Sequence, residues 1–192
     1  MVSLLLKEAG TTELLDGLHS EEFDAAFVRS PVADPQGLSE CPLLEEQMFV
    51  ALPNDHPLAP SSAAKKEKPL AVAELASEPF ILYRRRTGPG FYDSIIAACH
   101  EAGFTPQITQ EASRVLSTLN LVAAGLGVSV VPESLRQLQM NDVAYRSIEG
   151  SPRLVAPLNL ACRPVNHSAA ARHFVAMARH AAGHFKETVV AS

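Results

Sequence analysis

The stretch Leu121-Val122-Ala123-Ala124-Gly125-Leu126-Gly127-Val128-Ser129-Val130-Val131-Pro132 joins a helical pattern to a strand pattern through two glycines. Its apolar spacing predicts a helix over residues 115–124, with Gly125 as the C-terminal cap. The β-branched run that follows predicts a strand over residues 128–131, ended by Pro132. Because the glycines follow a helix and lack the third glycine of a dinucleotide-binding fingerprint, we interpret them as a cap and a tight turn.

The same alternation extends on both sides of this stretch. Further helices are predicted over residues 72–76, 91–102, 133–138 and 168–186, and further strands over residues 80–83, 107–110, 143–147 and 158–162. Nearer the start, strands are predicted over residues 4–6, 23–28, 38–44 and 48–52. A helix between the first two of these begins at Gly10-Thr11-Thr12, where a threonine hydroxyl can cap it. Its apolar stripe consists of Leu14, Leu15 and Leu18.

Strands that alternate with helices indicate an α/β fold with mainly parallel sheets. The alternation falls into two series that meet near residues 51 and 156. We therefore expect two small α/β subdomains joined by two crossings. One consists of residues 1–50 and 157–192, the other of residues 51–156. A cleft between them would close around a small molecule by hinge motion.

The composition excludes several classes of protein. The chain has 192 residues, of which 47% are hydrophobic, so it can fill a core. With 16 Lys and Arg against 21 Asp and Glu, its net charge is −5, which argues against a nucleic-acid-binding surface on this chain. No apolar run approaches the roughly 20 residues of a membrane span, and no signal sequence is present, so we expect a cytoplasmic location. The three separated cysteines, Cys41, Cys99 and Cys162, fit reduced thiols.

Motifs for catalysis, cofactors and metals are absent. There is no phosphate-binding loop, no H-E-x-x-H and no C-x-x-C, and Ser129 lacks the flanking glycines of a nucleophile elbow. An enzyme built on Cys99-His100-Glu101 would lack an orienting third group, so we predict no enzyme and no cofactor. The stripe His173, His180 and His184 has metal-ligand spacing, but it flanks a predicted core stripe, so no metal site is favoured. That core stripe consists of Phe174, Met177, Ala178, Ala181 and Phe185.

Two helix starts are candidates for anion binding. One is Gly10-Thr11-Thr12, and the other is Thr87-Gly88-Pro89-Gly90 before Phe91, which follows Arg84-Arg85-Arg86. A helix N-terminus offers free N–H groups and a positive dipole end, and hydroxyls and arginines add donors and charge, so a small carboxylate would suit it. The alternative is ordinary capping beside a solvated basic loop.

Five segments in order resemble the effector-binding, or substrate-binding, domain of LysR-type transcriptional regulators. They are Glu8-Ala9-Gly10-Thr11-Thr12-Glu13-Leu14-Leu15, Phe23-Asp24-Ala25-Ala26-Phe27-Val28-Arg29, Ala51-Leu52-Pro53-Asn54-Asp55-His56-Pro57-Leu58, Leu75-Ala76-Ser77-Glu78-Pro79-Phe80-Ile81 and the stretch quoted at the outset. The resemblance implies two Rossmann-like subdomains of the type II periplasmic-binding-protein-like fold, joined by crossover strands. It also implies that a DNA-binding helix-turn-helix, and the first strand and helix of the effector domain, are missing here.

The resemblance implies a ligand-sensing domain, with a small organic acid held in the cleft and self-association of the regulatory domain. DNA would be bound only through the absent helix-turn-helix, and no membrane is involved. The Tyr83-Arg84-Arg85-Arg86 loop with Gly88-Pro89-Gly90 resembles members that regulate aromatic-acid breakdown, whose effectors are aromatic carboxylates or muconate-like diacids. A transport-type solute-binding protein shares the two-lobed plan but would need export. The positions that match the effector pocket or the two helix starts are Thr11, Thr12, Arg29, Arg86, Gly88, Pro89, Gly90, Phe91, Ser113, Arg114 and Val115.

Overall fold

The computed structural model describes residues 3–29, 37–60, 68–149, 154–165 and 168–190, with side chains in the last helix described as far as residue 183. The helices are α1 (Thr11–His19), α2 (Pro89–Glu101), α3 (Val115–Ala123) and α4 (Ala169–Val190). The strands are β1 (Ala25–Val28), β2 (Ser39–Pro53), β3 (Pro79–Tyr83), β4 (Gln107–Ala112), β5 (Ser129–Pro132), β6 (Val143–Ser147) and β7 (Val155–Cys162). Two short 3-10 helices cover Val72–Leu75 and Glu133–Leu138. The α/β class predicted from the sequence is confirmed.

The chain divides into two compact units. Unit 1 contains residues 1–45, 86–88 and 157–192, and unit 2 contains residues 46–85 and 89–156. Strands β2 and β7 contribute residues to both units. The subdomain boundaries expected from the sequence lie at residues 50 and 156. That division places residues 86–88 in the second subdomain.

Unit 1 is a sheet with a helix on each face. The strands run in the order β1, β7, β2, and β1 is antiparallel to β7. Alternation along β1 turns Ala26 and Val28 toward Leu18 of α1. On the other face, Phe27 meets Phe174 of α4 edge to face, with ring centroids 6.1 Å apart. The packing therefore encloses the unit 1 sheet from both sides.

Unit 2 is built around the parallel pair β3 and β4. Phe80 and Leu82 of β3 pack in the cluster that includes Ile95 of α2, whereas Ile81 packs against Leu119 and Val122 of α3. These two helices therefore lie on opposite faces of β3. In the same unit, β2 is antiparallel to both β5 and β6. The expectation of mainly parallel sheets is wrong, because β1, β2 and β7 are found in antiparallel pairs.

The glycines at the end of α3 confirm the turn predicted from the sequence. Gly125 has a φ of +74° and Gly127 a φ of +149°, and both values favour glycine. After the turn, Val128 donates its N–H to the carbonyl of Pro79 and accepts from the N–H of Ile81, each at 2.8 Å. A helix end thus leads directly into contact with the central strand of unit 2.

Residues 4–6 do not form the buried strand that their leucines predicted. The leucines lie in irregular structure, and their side chains are 65%, 93% and 79% exposed. The predicted parallel strand–helix–strand unit is therefore wrong, because β1 takes β7 as its antiparallel partner. A strand needs an adjacent backbone as well as apolar residues.

Three smaller predictions are also corrected. The strands predicted over residues 38–44 and 48–52 are one strand, β2. The N-cap of α1 is Gly10, without a side-chain cap bond, so neither Thr11 nor Thr12 caps this helix. In α4, the residues that face the core are Ala171, Phe174, Val175, Ala178 and Ala182; Met177 is 54% exposed and Ala181 is exposed. Phe185 lies outside the described side chains. None of the described helices is both long and apolar enough to cross a membrane.

Candidate functional site

The carboxyl ends of β3 and β4 bring two loops to one edge of unit 2. Tyr83 and Ala112, the last residues of these parallel strands, are register partners. The N–H of Arg84 donates to the carbonyl of Ala112 at 2.9 Å, which holds the two loop origins together. One loop leads to the N-terminus of α2 and the other to that of α3. This edge is the usual ligand-binding edge of an α/β sheet.

Neither of these helix starts has an acidic residue in its first turn. Pro89 occupies the first turn of α2, where its lack of an N–H costs nothing. Gly90 and Phe91 are half-buried, and Phe91 packs against the core of unit 2. The hydroxyl of Ser94 donates to the carbonyl of Gly90 at 2.7 Å, which rigidifies the turn. The positive end of the α2 dipole is therefore not neutralised by a carboxylate in that turn.

The first turn of α3 likewise contains no acidic residue. Arg114 is the N-cap in an extended conformation, without a side-chain cap bond. Ser113 and Arg114 are exposed and Val115 is half-buried. Thr118 donates both its N–H, at 3.1 Å, and its hydroxyl, at 3.3 Å, to the carbonyl of Arg114. A helix offers no internal acceptor to its first N–H groups, so those of α3 are candidates for binding an anion.

The three consecutive arginines are not equivalent. Arg85 forms a two-pronged ion pair with Asp93, with Nε–Oδ1 at 2.8 Å and Nη2–Oδ2 at 3.3 Å. The hydrogen bond to Asp93 raises the pKa of Arg85, so this guanidinium stays charged, and the Asp93 carboxylate balances its charge. Arg84 and Arg86 are exposed, and no carboxylate pairs with either among the described residues. They are the positive charges in this loop that an anion could use.

In unit 1, the start of α1 is joined to residues 86–88. The N–H of Thr11 donates to the carbonyl of Thr87 at 3.1 Å. A Cβ on Gly10 would lie only 2.9 Å from Cγ2 of Thr87, so the two segments touch. The structure thereby brings Thr11 next to Gly88, and it uses one of the free N–H groups of α1 internally. The sequence had singled out both segments but carried no signal that they meet.

The remaining candidates in unit 1, Thr12 and Arg29, differ in exposure. Thr12 is exposed in the first turn of α1, which also carries Glu13, so this helix start is less positive than those of α2 and α3. Arg29 follows β1 directly, and its side chain is half-buried.

A cavity of about 440 Å³ in unit 2 lies at the opposite end of α3. Its lining residues are Pro53, Asn54, Asp55, Ala123, Ala124, Gly125 and Asp142. The helix C-terminus and the two aspartates are all negative, so the cavity disfavours a carboxylate. None of the residues predicted for the site lines it.

The cysteine and histidines that the sequence singled out do not come together as a site among the described side chains. Burial raises the pKa of the Cys99 thiol to about 11, whereas a nucleophilic cysteine needs a lowered value. Among the described side chains, no group of three or more His, Cys, Asp or Glu could hold a metal ion. His173 and His180 are exposed on α4, and His184 lies outside the described side chains.

The raised pKa of the Cys99 thiol predicts that the folded chain loses stability at high pH. The unfolded thiol ionises near pH 9.0, but the buried thiol stays protonated until about pH 11. Stability is therefore full below pH 9.0 and falls as the pH rises to about 11. The expected loss is roughly 2 to 3 kcal/mol. Urea unfolding of the wild type and of Cys99→Ala at both ends of this window measures it. If both proteins lose the same stability, Cys99 is not the source.

Comparisons with known proteins place this chain in a family. The family model described as LysR substrate binding domain matches residues 1–183. The transcriptional regulator CatR of Pseudomonas putida is 35% identical over 162 residues, which cover 84% of this chain and 53% of CatR. HcaR of Escherichia coli, a transcriptional activator of the Hca operon, is 31% identical over 172 residues, or 87% of this chain and 54% of HcaR. The chain spans about half the length of these curated relatives.

A solved structure has the same fold. The effector-binding domain of BenM with its effector benzoate superposes with a TM-score of 0.69 at 29% identity, covering 85% of this chain and 71% of that one. This confirms the predicted type II periplasmic-binding-protein-like class. With the family match over residues 1–183, it shows that the chain belongs to the LysR substrate-binding domain family.

Proposed function

We propose that this chain is the ligand-sensing part of a LysR-type transcriptional regulator and that it binds a small aromatic or dicarboxylic acid. The observation that carries the proposal is the pair of helix N-termini at one sheet edge, flanked by the exposed Arg84, Arg86 and Arg114. Two positive dipole ends and guanidinium groups favour a carboxylate over a neutral ligand. BenM supports the choice of ligand class, because the structure of its effector-binding domain contains benzoate as its effector.

We assign each candidate residue a role in this proposal. The N-termini of α2 and α3 would bind carboxylate oxygens through backbone N–H groups near Gly90, Ser113 and Val115. Arg86 and Arg114 would add charge, and Phe91 with Pro89 would provide apolar surface. In unit 1, the polar groups of Thr11, Thr12, Arg29 and Gly88 are further candidates for contact with an acid.

The bound acid would act as a switch. It can shift the protein between two arrangements only by its difference in affinity for them. No step in this function requires bond making, in keeping with relatives that are transcriptional regulators. We propose that the parent protein works in the cytoplasm, self-associates through this domain, and binds DNA through a helix-turn-helix outside this chain. CbnR, a similar protein of known structure, has been solved in full length with its target DNA.

A thermal-shift titration with benzoate, cis,cis-muconate and succinate tests the proposal. At a ligand concentration 100 times Kd, binding should add roughly 2.7 kcal/mol to the stability of the folded chain, or about 5 to 10 °C in Tm. Arg86→Ala and Thr11→Ala are each expected to weaken binding by about tenfold, since each removes one polar or charged contact.

Arg179→Ala is the matched control, because it removes one exposed positive charge from α4, a helix that contributes no residue to the proposed site. It should leave the affinity unchanged. If no acid in a broad panel shifts the melting temperature, the proposal fails for this chain. Equal weakening by the control and by Arg86→Ala would show a general effect of net charge rather than a site.

A further inference from the structure

The N-terminus of α1 is capped by a segment from far along the chain. Its N-cap residue, Gly10, makes no side-chain cap bond, and the carbonyl of Gly10 accepts the N–H of Leu14 at 2.9 Å. The N–H of Thr11 donates to the carbonyl of Thr87 at 3.1 Å. Because a helix has no internal acceptor for its first N–H groups, the Thr87 carbonyl takes the place of a cap.

We call residues 86–88 the docked segment. They cluster with unit 1, whereas the residues directly before and after them, Arg85 and Pro89, belong to unit 2. A Cβ on Gly10 would lie 2.9 Å from Cγ2, 3.3 Å from the carbonyl oxygen and 3.4 Å from Cα of Thr87. Gly10 has a φ of −71°, which any residue adopts, so the position lacks space rather than an allowed conformation. The missing Cβ at residue 10 thus lets the Thr87 backbone approach α1.

The N–H that holds the docked segment is also one that an acid would use. A helix N-terminus favours a carboxylate, and a hydrogen bond to an ionised acceptor is roughly twice as strong as one to a neutral acceptor. A single N–H makes one straight hydrogen bond, so an acid and the Thr87 carbonyl would compete for Thr11. The docked segment also contains Arg86 and Gly88, which are both residues of the proposed site.

We propose that the docked segment is an autoinhibitory latch: a bound acid takes the Thr11 N–H from the Thr87 carbonyl and releases residues 86–88. This inference rests on the proposed function, since it requires an acid that contacts Thr11. Because the carbonyl must leave before the acid binds there, the latch lowers the apparent affinity for the acid. Release of Arg86 and Gly88 would turn acid binding into a local change of conformation.

The scalar coupling across the hydrogen bond, between the Thr11 nitrogen and the Thr87 carbonyl carbon, reports the latch directly. We expect NMR of the isotope-labelled protein to show this coupling in the free chain. The coupling should disappear at saturating acid. The acids to be titrated are benzoate, cis,cis-muconate and succinate, with affinities from calorimetry.

Gly10→Ala should open the latch without acid, because the added Cβ pushes against Thr87. The coupling should be lost, and the acid should bind about three- to tenfold more tightly, which is the net contribution of one hydrogen bond. Adding Thr87→Ser removes the Cγ2 methyl that the new Cβ meets, so part of the coupling should return. Gly183→Ala is the matched control, because nothing lies within 4 Å of its Cβ position on α4. It should change neither the coupling nor the affinity, and circular dichroism checks that each variant is folded.

The outcomes separate the latch from acid sensing itself. An acid that binds the wild type and leaves the coupling intact overturns the latch, while acid sensing stands. Equal affinity of the wild type and of Gly10→Ala, once the variant has lost the coupling, does the same. If none of the three acids binds either protein, the proposed function is contradicted and the latch with it.

Discussion

Replacing Gly127 by alanine is expected to lower the free energy of unfolding by about 3 kcal/mol or more. Two effects add at this position. The φ of +149° is unfavourable for a residue with a Cβ, and a Cβ there would collide with the backbone carbonyl of Pro79. That carbonyl accepts the N–H of Val128 at 2.8 Å, so relieving the collision disrupts the contact with β3. Urea unfolding followed by circular dichroism measures the loss.

Gly125→Ala separates strain from collision. Gly125 also has a positive φ, of +74°, but nothing lies within 4 Å of the place where its Cβ would be. Alanine there should cost only about 1 kcal/mol of conformational strain. If the two variants lose equal stability, the close approach to Pro79 contributes nothing, and our account of this turn is wrong.

Replacing Arg163 by alanine is expected to cost about 2 to 4 kcal/mol. This residue directly follows β7, and its Nη1 donates to the carbonyls of Leu18 and Phe23, each at 2.8 Å. The two carbonyls flank the turn from α1 to β1, so the guanidinium fastens that turn to the sheet of unit 1. Its side chain is only 18% exposed, so water replaces these hydrogen bonds poorly.

Two variants make this prediction specific. Arg163→Lys keeps the charge but shortens the reach, so it should recover part of the lost stability. Arg179→Ala removes an exposed arginine from α4 and should change the stability by less than about 0.5 kcal/mol. Equal losses in the alanine and lysine variants would mean that the charge contributes nothing at this position. A loss in Arg179→Ala as large as in Arg163→Ala would mean that the two carbonyl contacts are not the cause.

Part of the candidate site can be predicted from the sequence. The run Thr87-Gly88-Pro89-Gly90 predicts a helix start, because proline and glycine determine the backbone conformation of the few residues around them. Nothing in the sequence distinguishes Arg84 and Arg86 from Arg85. That distinction depends on where Asp93 lies once α2 has formed. The contact between Thr11 and Thr87 joins positions far apart in sequence, and no local pattern predicts it.

By itself, the sequence determined the helices and most strands of this protein and the points at which α2 and α3 end. These features depend on periodicities of 3.6 and 2 residues and on glycines that accept a positive φ, all of which act within a few residues. The tertiary structure alone decided which strands pair and in which direction. It therefore decided that β2 is one strand and that the leucines of residues 4–6 remain in water. Pairing needs a second backbone at hydrogen-bonding distance, and whether one is present is not a property of the segment itself.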